Sequence, residues 1–181
     1  MRFKDYYIIE SIDTNNTLYH STTSSNAPLI INNGFKVNLS GKNKYGVGVY
    51  GTTDVKSQHS DLQSGNYGDI ILKSIYPDSK IMIFDKDHTP IEEFGKYFDI
   101  SDYPEEVNTI LSQMNTNNPV FNAQMFSAIQ KKYPDIWKSL DGIIVDDRGT
   151  NIIVYYKPEK LTITHTSSDG GETWKPINKT H

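Results

Sequence analysis

The sequence predicts an α+β domain, and three observations carry that expectation. Short runs rich in β-branched and aromatic residues open and close the chain, as in YYIIE, GDIILKSIYP and NIIVYY. Between residues 90 and 140 the apolar positions instead recur near every 3.6 residues, the period of an amphipathic helix. The two signals are grouped along the chain, whereas a doubly wound parallel sheet would alternate them regularly.

Taken in order, YYIIE (6–10) and TLYH (17–20) are strands of a hairpin, separated by the turn signal DTNN. A polar loop follows His20. Ser25 or Asn26 then caps a short helix, with Pro28 in its first turn and Gly34 just past its end. Residues 36–48 are loop. GDIILKSIYP (68–77) and KIMIFD (80–85) are strands joined by a short PDS turn. IEEFGKYF, PEEVNTILSQM, VFNAQMFSAIQKKY and PDIWKSL form the helical block, with Pro104 and Pro134 where helices start. DGIIV (141–145) and NIIVYY (151–156) return to strands across DDRGT, and KPEKLTITHT follows.

At 181 residues the chain suits one domain, spanning 1–181, with residues 90–140 as a helical insertion and 160–181 as a C-terminal strand and hairpin. A hydrophobic content of 36% with 12% aromatics is that of a folded chain. The net charge of −4, with only two arginines among eighteen basic residues, gives no basic stripe for nucleic acid. Cysteine is absent, which excludes disulfides, thiol nucleophiles and thiolate metal sites. His59, His88, His165 and His181 lack ligand spacing, so no metal site is expected. The start, MRFKDYYIIESID, has no secretory h-region and no run is long enough to span a membrane, so a cytoplasmic protein is expected.

The tail SSDGGETW (167–174) fits S-x-D-x-G-x-T-W and resembles the Asp-box of sialidase-type propellers. Its physics is that of a hairpin: Ser and Asp satisfy turn amides, Gly takes positive φ, and Trp packs back. One copy and two arginines, Arg2 and Arg148, do not make a propeller with a sialic-acid site.

Three further stretches occur in a recognisable order. YHSTTSSNAPLIINNGFK puts an aromatic-His pair before a small polar loop and a short helix, and YGVGVY (45–50) follows about 25 residues after His20. Late in the chain stands DGIIVDDRGTNIIVYYKPEKLTI. Together they resemble the motifs of ADP-ribosyltransferases of the diphtheria-toxin and poly(ADP-ribose) polymerase type, over residues 18–160. The bacterial and phage toxin or effector branches are the nearer ones. The family's late glutamate is replaced here by Asn151.

The resemblance implies a split β-sheet core and NAD as substrate. His20 would hydrogen-bond a ribose hydroxyl, and Tyr50 would give the nicotinamide an aromatic face. The backbone of Ser21, where the family usually has glycine, would take the nicotinamide amide, with Thr22 beside it. Tyr45, Gly46 and Gly48 would shape the same wall, and Ser57 is a further candidate on the nicotinamide side. Asn151 would meet the ribose without the charge that stabilises the breaking glycosidic bond. His20, Tyr50 and Asn151 are therefore the expected catalytic set, with Asp146 or Asp147 as substitute carboxylates or simply turn residues. The implied activity is mono-ADP-ribosylation of a macromolecule, protein ahead of nucleic acid. The alternatives are a weak or inactive NAD-binding pseudoenzyme and a partner-binding module on the same fold. The arginine-specific relatives are set aside because no E-x-E occurs. The helical block is expected to contact the target, so that deleting it would spare NAD binding.

Overall fold

The computed structural model describes residues 16–37, 43–58, 68–77 and 79–177, excluding the side chain of Trp137. The expected strand at 6–10 and its turn, together with His59 and His181, lie outside the described residues. Among the described residues, the chain is mixed α+β, built on one eight-stranded, mostly antiparallel sheet.

The elements are β1 (Thr17–Thr22), α1 (Ala27–Asn33), β2 (Val49–Thr52), β3 (Ile70–Ile75) and β4 (Ile81–Phe84). Next come α2 (Pro90–Gly95), α3 (Glu105–Gln113), α4 (Pro119–Lys132) and α5 (Pro134–Ser139). The chain then forms β5 (Gly142–Asp147), β6 (Thr150–Tyr155), β7 (Thr162–Ser167) and β8 (Lys175–Pro176). Proline opens α2, α4 and α5, where its missing N–H costs no helical bond. Asn118 adds a side-chain cap on α4 by accepting from the Phe121 amide at 3.2 Å. Asn26 precedes α1 but does not cap it. The amides of Asn26 and Ala27 instead donate to the Thr23 carbonyl at 3.0 and 2.9 Å, so a turn begun at Thr23 leads into the helix.

Strand order is β4-β5-β6-β2-β1-β3-β7-β8. The PDS turn links strands that are far apart in the sheet, because β3 pairs with β1 and β7 while β4 sits at the opposite edge. The partner of β4 is β5, in parallel, with Ile81 opposite Gly142. Parallel neighbours need a long crossover, and the helical block supplies it. The block is therefore the connection on which the sheet depends, and deleting it would unseat β4.

That block covers one face of β4, β5 and β6. Phe84, Phe94 and Phe126 meet there, with ring centres 5.5 Å (Phe84–Phe126) and 6.4 Å (Phe94–Phe126) apart, beside Met82, Val145 and Val154. Glu93 is buried beneath α2, where its carboxylate accepts from the Ile83 amide at 3.0 Å and pairs with Lys96. The opposite face carries a smaller core of Leu18, Val49, Ile144 and Ile153, continued by Leu72 and Ile163 under α1. Burial of each such side chain is worth about 1.5–3 kcal/mol, so both faces hold the central strands in register.

Residues 167–174 form the turn between β7 and β8. The Gly171 amide donates to Ser167 Oγ at 2.8 Å, and the Thr173 amide donates to Asp169 Oδ1 at 3.0 Å. Trp174 lies back against Tyr19, with centroids 5.8 Å apart, and under the Lys73 ammonium.

Candidate functional site

β1 and β2 are central neighbours, yet they pair at one register position, Tyr19 opposite Thr52. Beyond it His20 takes the place of the missing ladder bonds. Its Nδ1 lies 2.7 Å from the Tyr50 carbonyl oxygen, which can only accept, so Nδ1 carries the proton. Burial lowers the pKa of His20 more than this hydrogen bond raises it, and the ring is neutral at pH 7. Nε2 is left as a lone-pair acceptor. Phe35 meets the ring edge-on at 5.2 Å and fixes its plane.

A cavity of about 510 Å³ opens at this seam. His20, Thr22, Gly48, Val49 and Tyr50 line its sheet side. Asn26, Ile30 and Asn33 of the α1 segment form the facing wall, with Phe35, Lys36 and Asn43 from the following stretch. The sheet residues were legible as motif positions, whereas the α1 residues were missed. Their i, i+4, i+7 spacing on one helix face was the available signal.

The loop 45–50 is held by Tyr50 itself. Its hydroxyl accepts from the Tyr45 amide at 2.9 Å and donates to the Gly46 carbonyl at 2.8 Å. Gly46 has φ +104, which a side chain would resist, and a Cβ on Gly48 would stand 2.7 Å from the Tyr155 carbonyl oxygen. The glycines of YGVGVY thus have separate backbone reasons. Burial raises the Tyr50 pKa, so the hydroxyl stays protonated.

Residues directly opposite in an antiparallel pair share a face, and successive residues alternate. Tyr50 stands opposite Val154 and packs with the helical-side core. His20 stands opposite Leu72, on the α1 side. Their side chains therefore leave opposite faces of the sheet, and the link between them is the bond to the Tyr50 backbone.

The remaining candidates are placed as follows. Ser21 donates from Oγ to Oε1 of the buried Gln58, a partner the sequence did not reveal. Tyr45 is buried, with its hydroxyl donating to Asp147 Oδ2 at 2.8 Å and its pKa pushed up to about 12 by burial. Ser57 donates from its amide and Oγ to Asp54 at 2.8 and 2.7 Å, closing the first turn of the helical residues 55–58. Asn151 lies opposite Asp146, and its carbonyl accepts from the Thr53 amide at 3.1 Å. None of these four lines the cavity. Asp147 is already engaged: burial would raise its pKa, but the Tyr45 hydroxyl and Lys44, 3.0 Å away, hold it below the usual carboxylate range.

The chain is thus an α+β protein with a polar and aromatic cavity at the seam of its central strands. No family model matches it, and comparison with curated proteins and with solved structures also gives no match. Among the described residues, no helix is long and apolar enough to cross a membrane.

Proposed function

We propose that the protein is a mono-ADP-ribosyltransferase that takes NAD in the seam cavity, on a split-sheet fold of the ADP-ribosyltransferase type. One observation carries this reading: the early motif and YGVGVY, far apart in sequence, meet at a single cavity through the His20–Tyr50 bond. The volume, about 510 Å³, is within the roughly 300–1,000 Å³ usual for small-molecule sites. In the proposed reaction the bond between nicotinamide nitrogen and ribose C1′ breaks, and nicotinamide leaves with the electron pair. An acceptor nucleophile bonds to C1′ and gives up its proton. Neutral His20 accepts a ribose hydroxyl through Nε2. Lys36 supplies positive charge for the diphosphate, and Phe35 and Val49 give apolar cover. The acceptor is a macromolecule, protein ahead of nucleic acid, and the setting is that of a bacterial or phage toxin or effector.

The test is incubation of the purified protein with labelled NAD and a bacterial lysate. Label on a discrete macromolecule together with free nicotinamide supports the reading. Neither signal, and no thermal shift at millimolar NAD, overturns it.

A second reading, a binding module without turnover, is favoured by the cavity lining, which among the described residues holds no carboxylate to stabilise an oxocarbenium-like centre. Under it wild type binds NAD, seen as a thermal shift, and releases no free nicotinamide. Fast cleavage by wild type eliminates this alternative.

A further inference from the structure

We propose that a second cavity, where the β5–β6 turn meets the first turn of α4, binds the phosphate group of a nucleotide-sized phosphate monoester. The proposal does not depend on NAD chemistry. Lys44, Lys86 and Arg148 converge on this cavity from three separate stretches of a chain whose net charge is −4. Its two carboxylates are outnumbered by these three cations. Asp147 takes the Tyr45 hydroxyl and Lys44, and Asp146 Oδ1 accepts from the Gly149 amide at 2.7 Å. Among the described residues Lys86 makes no ion pair. Arg148 is 95% exposed and reaches Asp147 only at 4.0 Å, through Nε. Two cations thus remain for an incoming anion, and a phosphate dianion accepts from several such donors at once.

The turn that carries Arg148 adds a second observation. Asp147 pairs with Thr150, and the two residues between them, Arg148 and Gly149, have φ +60 and +84. Two-residue turns of this kind favour Asn-Gly or Gly-Gly, and a long side chain in the left-handed region is uncommon. Arginine is a poor choice for the turn itself, so turn chemistry does not explain its presence. The cavity, about 520 Å³, is far larger than a phosphate ion and accommodates an organic body as well. Pro119 and Val120 give that body an apolar floor, and Thr116 and Asn117 offer hydrogen-bonding groups.

The test is a titration of the ¹⁵N-labelled intact protein, followed by amide shifts, with cytidine 5′-monophosphate, cytidine and inorganic phosphate at constant ionic strength. The monophosphate is expected to shift amides at 116–120 and 146–149 saturably, inorganic phosphate the same amides more weakly, and cytidine none. Lys86→Ala and Arg148→Asn should each weaken binding about tenfold. Asparagine tolerates positive φ, so Arg148→Asn keeps the turn and its melting temperature should not fall. A 5′-phosphorylated trinucleotide that binds more tightly than the monophosphate identifies the ligand as a nucleic-acid end. Equal or weaker binding identifies a free nucleotide, and either result bears the site out. Equal shifts with cytidine and its monophosphate, shifts confined to the seam cavity, or binding indifferent to Arg148→Asn overturns the proposal.

Discussion

His20 donates from Nδ1 to the main-chain carbonyl of Tyr50 at 2.7 Å, at the point where β1 ceases to pair with β2. The ring substitutes for a ladder bond, and its protonation state is coupled to the seam.

Because burial depresses the His20 pKa in the folded state, the unfolded chain binds the proton more readily. The stability tied to the neutral ring is present above the ordinary histidine value, about 6.5, and is lost as pH falls below it toward the folded pKa. His20→Gln removes this titration. Melting curves at pH 7.5 and 5.5 should show wild type losing more of its melting temperature on acidification than His20→Gln. Equal losses would refute the coupling.

Tyr50→Phe keeps the ring but strands the Tyr45 amide and the Gly46 carbonyl. An unpaired, partly buried polar group costs about 1–3 kcal/mol, so the variant should unfold at lower urea with an unchanged denaturant slope. If Tyr50→Phe is as stable as wild type, the hydroxyl is not what holds the loop.

Gly48→Ala sets a Cβ against the Tyr155 carbonyl at the β2–β6 junction. Overpacking of this kind costs about 1–3 kcal/mol. Gly95 is the natural control, since an added Cβ there meets nothing within 4 Å and lies on a helix. Gly95→Ala should stabilise by about 0.5–1 kcal/mol. Parallel chemical denaturation of the two variants gives opposite signs if the close approach is real.

The Asp169 carboxylate accepts from the Thr173 hydroxyl and amide, which hold its pKa well below the usual range. Its contribution is present above the unfolded value, about 4, and is lost as pH falls through the depressed one. In a Trp137→Phe background, Trp174 fluorescence should report loosening of the turn from Tyr19 at strongly acidic pH. Asp169→Ala should show the loosened signal already at pH 7; the same emission as its parent would rule the turn out as the anchor of Trp174.

What the sequence disclosed was local. Pro104 and Pro134 announced helix starts, Gly34 the end of α1, and SSDGGETW its own turn, because each acts through the backbone of its nearest neighbours. The α+β class followed from how those signals were grouped. Pairings over long separations were not legible. Nothing near Ser21 signals Gln58, 37 positions away, and nothing in KIMIFD signals a parallel partner beyond four helices. Asn26 shows the limit even locally, since its side chain makes no cap bond and a turn begun at Thr23 leads into the helix instead. The seam cavity was half legible. Its strand residues sit in motifs, but the side of the sheet each one faces is fixed only by register.

The crossover between β4 and β5 has a consequence for synthesis. Among the described residues, β2 finds its second neighbour in β6, and β4 pairs with no strand except β5. A nascent chain therefore carries β4 without a partner, and β2 with one edge open, until the segment through Tyr155 has left the ribosome. The protein completes its sheet late, and a truncation before β5 leaves exposed strand edges that invite aggregation.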